Sequence, residues 1–127
     1  MKLWIDDVRP APEGYVWCKS VNRAKKVILE LEKEQEKFYT MACKNFQRGD
    51  KDGYYSLLSM CNRRDIDLID MDHDAGDYAS DGGDYIKLLD WLEEMRRNYP
   101  IRIHSQNPVG VENMRRIIER NGWKEIK

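Results

Sequence analysis

No run of this sequence approaches the roughly 18 apolar residues that suggest a membrane span. The amino terminus, MKLWIDD, turns acidic too early for a secretory leader. The expectation is therefore a cytoplasmic protein with no membrane partner. Cysteine is scarce: Cys18, Cys43 and Cys61 are odd in number and lack CxxC spacing. That argues against a disulfide framework or a zinc site, and for reduced thiols used in packing. Net charge is nearly absent as well. At −1 over 127 residues there is no general pull toward nucleic acid or anionic membrane, so binding to RNA or a phosphate compound would depend on a local site. Internal repeats, low-complexity tracts and linkers are missing, which predicts a single domain over residues 1–127. Its apolar fraction of 41% is enough for a compact core.

What is present reads as strands alternating with helices. KLWI, Lys2–Ile5, is a first strand that ends in Asp6-Asp7, and the prolines and glycine of VRPAPEG forbid a helix after it. YVWC, Tyr15–Cys18, is a second strand. Ser20 then caps a helix with Val21, Ala24, Val27, Ile28 and Leu31 at helical spacing. From about Gln35 to Arg64 the pattern loosens into helical pieces around the turn RGDKDG, which predicts a helical insertion packed at the domain edge through residues such as Phe38, Phe46, Tyr54, Tyr55 and Leu57. The same segment is a candidate surface for a protein partner.

IDLIDMD is an inner third strand, and YIKLLDWLEEMRRN an amphipathic helix with Leu88, Leu89, Trp91, Leu92 and Met95 on its core side. IRIHS is a fourth strand. The last helix, VENMRRIIERNGW, turns Met114, Ile117 and Ile118 inward and ends at Asn121-Gly122, and WKEI offers a short final strand. This order implies an open, mostly parallel sheet of four to five strands with helices on both faces, whose ligands sit at the carboxyl ends of the strands.

Three strands end at that edge in polar chemistry: Asp6-Asp7, Asp72-His73-Asp74 and His104-Ser105. Asp6, Asp7, Asp72 and Asp74 suit a hard cation such as Mg²⁺ or Mn²⁺, because clustered carboxylate oxygens match its ligand preference. The bland alternative is that they cap helices and face water. An EF-hand fits poorly, since Asp70-x-Asp72-x-Asp74 has Ala75 where the loop needs glycine and reaches Asp81 instead of a glutamate. The chain has only two histidines, and both, His73 and His104, fall here. As a pair facing one acidic pocket they fit general acid and base roles; singly, each fits a buried strand-end histidine. Ser105 either orients a phosphate oxygen or caps a turn. Arg9, Asn107 and Gly110 are candidate phosphate contacts, the last two opening a helix whose free amides suit an anion.

LWIDDVRPAP, IDMDHDAGD and RIHSQNPVGVENM resemble the motifs of the cyclic-phosphate processing receiver domain family, derived relatives of response-regulator receivers. The resemblance spans most of the chain outside Gln35 to Arg64. It implies a flavodoxin-like receiver fold reduced by loss of the first receiver helix, with Asp6 and Asp7 matching the acidic metal pair and Asp72 the phosphorylated aspartate. His104-Ser105 matches the strand end where receivers place Ser or Thr. Two departures stand out: His73 and Asp74 follow the phosphoacceptor position, and no lysine marks a clear fifth-strand end. The resemblance further implies action on cyclic phosphates in RNA end repair or nucleotide turnover.

Two functions follow as expectations. The first is a metal-assisted phosphoesterase, a hydrolase opening a cyclic phosphate of RNA or a nucleotide, with Asp72, His73, His104 and Ser105 as its catalytic set and Asp72 either ligand or nucleophile. The second is a non-catalytic receiver-like module that binds a phosphorylated ligand or a protein.

Overall fold

The computed structural model describes residues 1–62 and 65–127, so the end of the expected insertion, residues 63 and 64, lies outside the described residues. Four strands, β1 (Lys2–Ile5), β2 (Tyr15–Cys18), β3 (Leu68–Met71) and β4 (Ile101–Ile103), form one sheet in the order β2-β1-β3-β4. Every pairing is parallel. The chain order reverses between β1 and β3, and in open α/β sheets that switch point opens a crevice at the strands' carboxyl ends. Where a short final strand is expected, the chain forms only an isolated parallel bridge, Ile101 to Glu125, at the β4 edge.

The register explains which residues go inward. Leu3, Ile5, Cys18, Ile69, Met71 and Ile101 are completely buried, and their alternate neighbours point the other way because side chains flip with every strand residue. Helices α1 (Val21–Gln47), α3 (Ile86–Glu94) and α4 (Pro108–Asn121) deliver Val21, Ile28, Leu88, Leu89, Met114 and Ile118 to the same cluster. The opposite face carries a row that crosses all four strands, Trp17, Trp4, Asp70 and Arg102. Between β1 and β2 there is a loop and no helix. The Pro12 carbonyl accepts from the Tyr15 amide at 3.1 Å and Gly14 takes φ 84°, the positive φ that glycine favours at the third position of such a turn. The fold is thus a receiver-like open α/β sheet in which the first crossover helix is missing.

Helix starts and stops follow local chemistry. The Ser20 hydroxyl accepts from the Arg23 amide at 3.0 Å and caps α1, and Gly122, left-handed at φ 66°, ends α4. Three details differ from the sequence expectation. Helix α1 runs unbroken for 27 residues, so the loosening at Gln35 is a change in what the helix faces and not a change in backbone. It turns at Arg48–Asp50 into α2 (Lys51–Asn62), which packs along α1. Met95 is 37% exposed because it follows the last turn of α3 as its cap, and Trp91 only flanks the core. Phe46 and Tyr55 stay exposed, and Phe46 meets Tyr54 with ring centroids 5.1 Å apart. Among the described residues, no helix is long and apolar enough to cross a membrane.

Ile69→Ala in the inner strand is expected to cost about 2–5 kcal/mol of unfolding free energy, the usual range for truncating a buried aliphatic side chain. Leu29→Ala, on the exposed side of α1, should stay within about 0.5 kcal/mol. Urea unfolding of both variants checks the assignment of the core face.

Candidate metal and phosphate site

Ile5 pairs with Met71 and Met71 with Ile103, so the residues that follow, Asp6, Asp72 and His104, emerge side by side at one edge. Backbone bonds extend this alignment by one step: the Asp72 amide donates to the Ile5 carbonyl and the His104 amide to the Met71 carbonyl, both at 2.9 Å. The acidic and histidine positions are brought together by strand register alone.

Asp6, Asp7 and Asp72 each place one carboxylate oxygen within 4.8 Å of the others. Asp6 is almost fully buried. Its Oδ1 accepts from the amides of Val8 and Arg9, each at 2.9 Å, and its Oδ2 accepts from His104 Nε2 at 2.8 Å. Burial works against its charge, yet these donors hold its pKa below the ordinary carboxylate value. Asp7 behaves in the opposite way: burial, joined by the charges of Asp6 and Asp72, pushes its pKa up. Gly76 lies against it so closely that a Cβ there would come 2.3 Å from Asp7 Oδ2. An all-oxygen donor set with mutual repulsion fits a hard divalent cation, and not a soft metal that prefers sulfur.

His104 is held on every side. Nδ1 donates to Asp70 Oδ1 at 2.7 Å and Nε2 to Asp6, and the ring stacks on Trp4 with centroids 4.0 Å apart and planes 6° from parallel. Burial disfavours its charge, but the two carboxylates outweigh that and raise its pKa above the ordinary value. Both ring nitrogens are engaged, so the residue expected to move a proton is placed as a clamp between two buried acids.

His73 is placed differently. Its Nδ1 meets Asp74 Oδ1 at 2.8 Å, its amide donates to Asp72 Oδ1 at 2.7 Å, and its ring lies flat against α4, where a Cβ on Gly110 would come 2.5 Å from the ring. Asp74 is therefore turned toward His73, outside the group formed by Asp6, Asp7 and Asp72. Among the described residues, Nε2 of His73 has no protein partner.

The candidate phosphate contacts are occupied by local structure. Ser105 Oγ accepts from the Asn107 amide at 3.1 Å, Asn107 Oδ1 caps α4 by accepting from the Gly110 amide at 3.0 Å, and Arg9 Nη1 donates to the His104 carbonyl at 3.0 Å. Two residues were missed by sequence reasoning. Asp70 and Trp4 orient His104; the signal was a lone carboxylate inside an inner, otherwise apolar strand, which needs a cationic partner to be buried.

These shifts contribute to the pH dependence of the metal-free protein with defined signs. His104 gains basicity on folding, so its contribution is complete below about pH 6.5, its ordinary value, and fades as pH rises through the raised value. Asp6 contributes fully above its ordinary 3.8 and loses that as pH falls through the lowered value. His104→Gln should therefore lower the melting temperature and flatten its decline above pH 6.5. Asp7→Asn should raise the melting temperature at neutral pH, since it removes a carboxylate that resists ionisation. Thermal melts in chelator across pH 4–9 check both signs.

A family model for the cyclic-phosphate processing receiver domain matches residues 1–54 and 42–120. No curated protein matches the chain, and no solved structure does. The matched segments carry β1 and its acidic pair, the β3 end with Asp72 and His73, and the β4 end with His104, and the strand order is that of a receiver-like sheet. The chain belongs to the cyclic-phosphate processing receiver domain family.

Proposed function

We propose that the protein is a metal-assisted phosphoesterase that hydrolyses a cyclic phosphate of RNA or a nucleotide. The observation that carries this reading is the pairing of the Asp6, Asp7 and Asp72 carboxylates with one oriented histidine, His73, at the same strand edge. The cation, Mg²⁺ or Mn²⁺, would be held by Asp6, Asp7 and Asp72 and would supply charge neutralisation for the phosphate. Asp74 fixes the His73 ring through Nδ1, which leaves Nε2 to accept a proton from the attacking water. As the water oxygen bonds to phosphorus, one ring P–O bond breaks, and the leaving alkoxide oxygen takes back from the His73 imidazolium the proton drawn from water, which restores the neutral ring. His104 acts through Asp6, holding that carboxylate ionised and aimed while Asp70 steadies its other nitrogen. A nucleophilic Asp72 is the less favoured variant, because one of its oxygens already accepts from the His73 amide.

The same engagement of His104 favours a second reading. With one histidine locked, a receiver-like module that binds a phosphorylated ligand and turns nothing over would keep every contact described. A single domain elaborated by the hairpin of α1 and α2 accommodates either reading, with the hairpin as the surface for a protein partner.

Mg²⁺ or Mn²⁺ at millimolar concentration should raise the melting temperature, because a ligand of the folded state alone stabilises it by mass action. Asp72→Asn should weaken that rise and the double change Asp6→Asn with Asp7→Asn should abolish it. On a cyclic phosphodiester, His73→Ala is expected to lower kcat by about 10²- to 10⁴-fold with the metal-induced rise retained. A wild type that hydrolyses no cyclic phosphate would put the binding module in first place.

A further inference from the structure

A cavity of about 350 Å³ is bounded by Trp17, Lys19, Ser20, Arg23, Tyr78 and Asp81, and no step of the proposed hydrolysis uses it. Its size falls within the roughly 300–1,000 Å³ of small-molecule sites. Two of its walls are tied to the acidic residues. The Trp17 indole donates to the Asp6 carbonyl at 2.7 Å, and Tyr78 belongs to the 3₁₀ turn Gly76–Ser80, whose first residue packs on the Asp7 carboxylate. A third wall is preset: Asp81 accepts from Ser20 Oγ at 2.6 Å and from Asn22 Nδ2 at 3.1 Å. A cavity whose walls are already in place loses little freedom when it fills.

Beside Ser20 and the Asp81 carboxylate, which are tied to each other and to Asn22, the lining is aromatic and cationic. Trp17 and Tyr78 are aromatic, and Tyr78 is 38% exposed. Lys19 and Arg23 are cationic; the Lys19 ammonium lies 4.5 Å from the Trp17 ring centroid. Both cations are exposed, and an aliphatic ligand would make no use of their charge. A planar base beside a phosphate would use both kinds of wall, since bases stack on aromatic side chains while basic residues follow the backbone.

We propose that this cavity is a base-binding subsite, which takes the nucleobase of a nucleoside 2′,3′-cyclic phosphate, free or at an RNA end, while the cyclic phosphate lies at Asp6, Asp7 and Asp72. The placement of the phosphate rests on the phosphoesterase reading. Lys19 and Arg23 then face the phosphate that precedes the base, a group that an RNA end has and a free nucleoside cyclic phosphate lacks.

Calorimetric binding with Mg²⁺ present compares adenosine 2′,3′-cyclic phosphate, a short RNA oligomer ending in a 2′,3′-cyclic phosphate, and glycerol 1,2-cyclic phosphate. The wild type should bind the nucleoside at least about 10-fold more tightly than the glycerol compound, the worth of one base–aromatic stack. Tyr78→Ala should erase that preference and leave the melting shift with Mg²⁺ unchanged. Lys19→Ala combined with Arg23→Ala should weaken the oligomer more than the nucleoside; an equal loss for both would make the free nucleotide the ligand of the same pocket. Equal wild-type affinity for nucleoside and glycerol compounds, absent nucleoside binding, or a preference that survives Tyr78→Ala overturns the proposal. The two readings fail separately. A base preference carried by Tyr78 without turnover sinks the phosphoesterase and keeps the pocket, whereas hydrolysis of all three compounds without preference does the reverse.

Discussion

The imidazole of His104, hydrogen-bonded to Asp6 and Asp70 and stacked on Trp4, is the interaction on which the strand edge depends. It joins residues of β1, β3 and the β4 end, and its two carboxylates are each only 1% exposed. Burying two acids that close is tolerable only with a cation between them, because an unpaired buried charge costs several kcal/mol. The protonated ring supplies that cation. Among the described residues Asp70 Oδ2 has no hydrogen-bond partner, and the Arg102 guanidinium, 3.7 Å away and half exposed, is a further counter-charge. Positive charge is thus drawn to the Trp4 face of the sheet, while the apolar face is left to the helices.

The other acids between Ile66 and Tyr85 are separated by the same economy of partners. Asp72 remains in the group with Asp6 and Asp7, and Asp74 turns to His73. Asp81 serves Ser20 and Asn22, and Asp84 accepts from the Ala75 amide at 3.0 Å. A run that looks like one dense charge in the sequence is distributed by the loop into separate local duties. The concentration left among the described residues, Asp6 with Asp7 and Asp72, includes the carboxylate whose pKa burial and its neighbours raise. That residual repulsion is what a divalent cation would relieve.

Strand ends were legible because register in a parallel sheet follows from apolar alternation: KLWI and IDLIDM each place their acids one step beyond the buried pair. Caps were legible for the same local reason, as with Ser20 and Gly122. The roles of the two histidines were not. Sequence shows that His73 and His104 converge, but which one keeps a free nitrogen depends on Asp70, whose facing direction is set by pairing with Trp4 and Arg102 across three strands. The hairpin end was similarly illegible, since nothing local distinguishes an aromatic that packs from one that remains exposed, as Phe46 and Tyr55 do.

The missing crossover helix connects these features. A helix after β1 would cover the sheet face that carries Trp17, Trp4, Asp70 and Arg102, and would bury those polar groups against apolar side chains. The proline turn instead brings Arg9 back over the β4 end, where its carbonyl accepts from the Trp4 indole at 2.9 Å and its guanidinium donates to the His104 carbonyl. Trp4 is thereby fixed from its edge while His104 lies on its face. The short loop thus supports the charged network around His104 with its own polar groups, where a helix packed on this face would set apolar side chains against it.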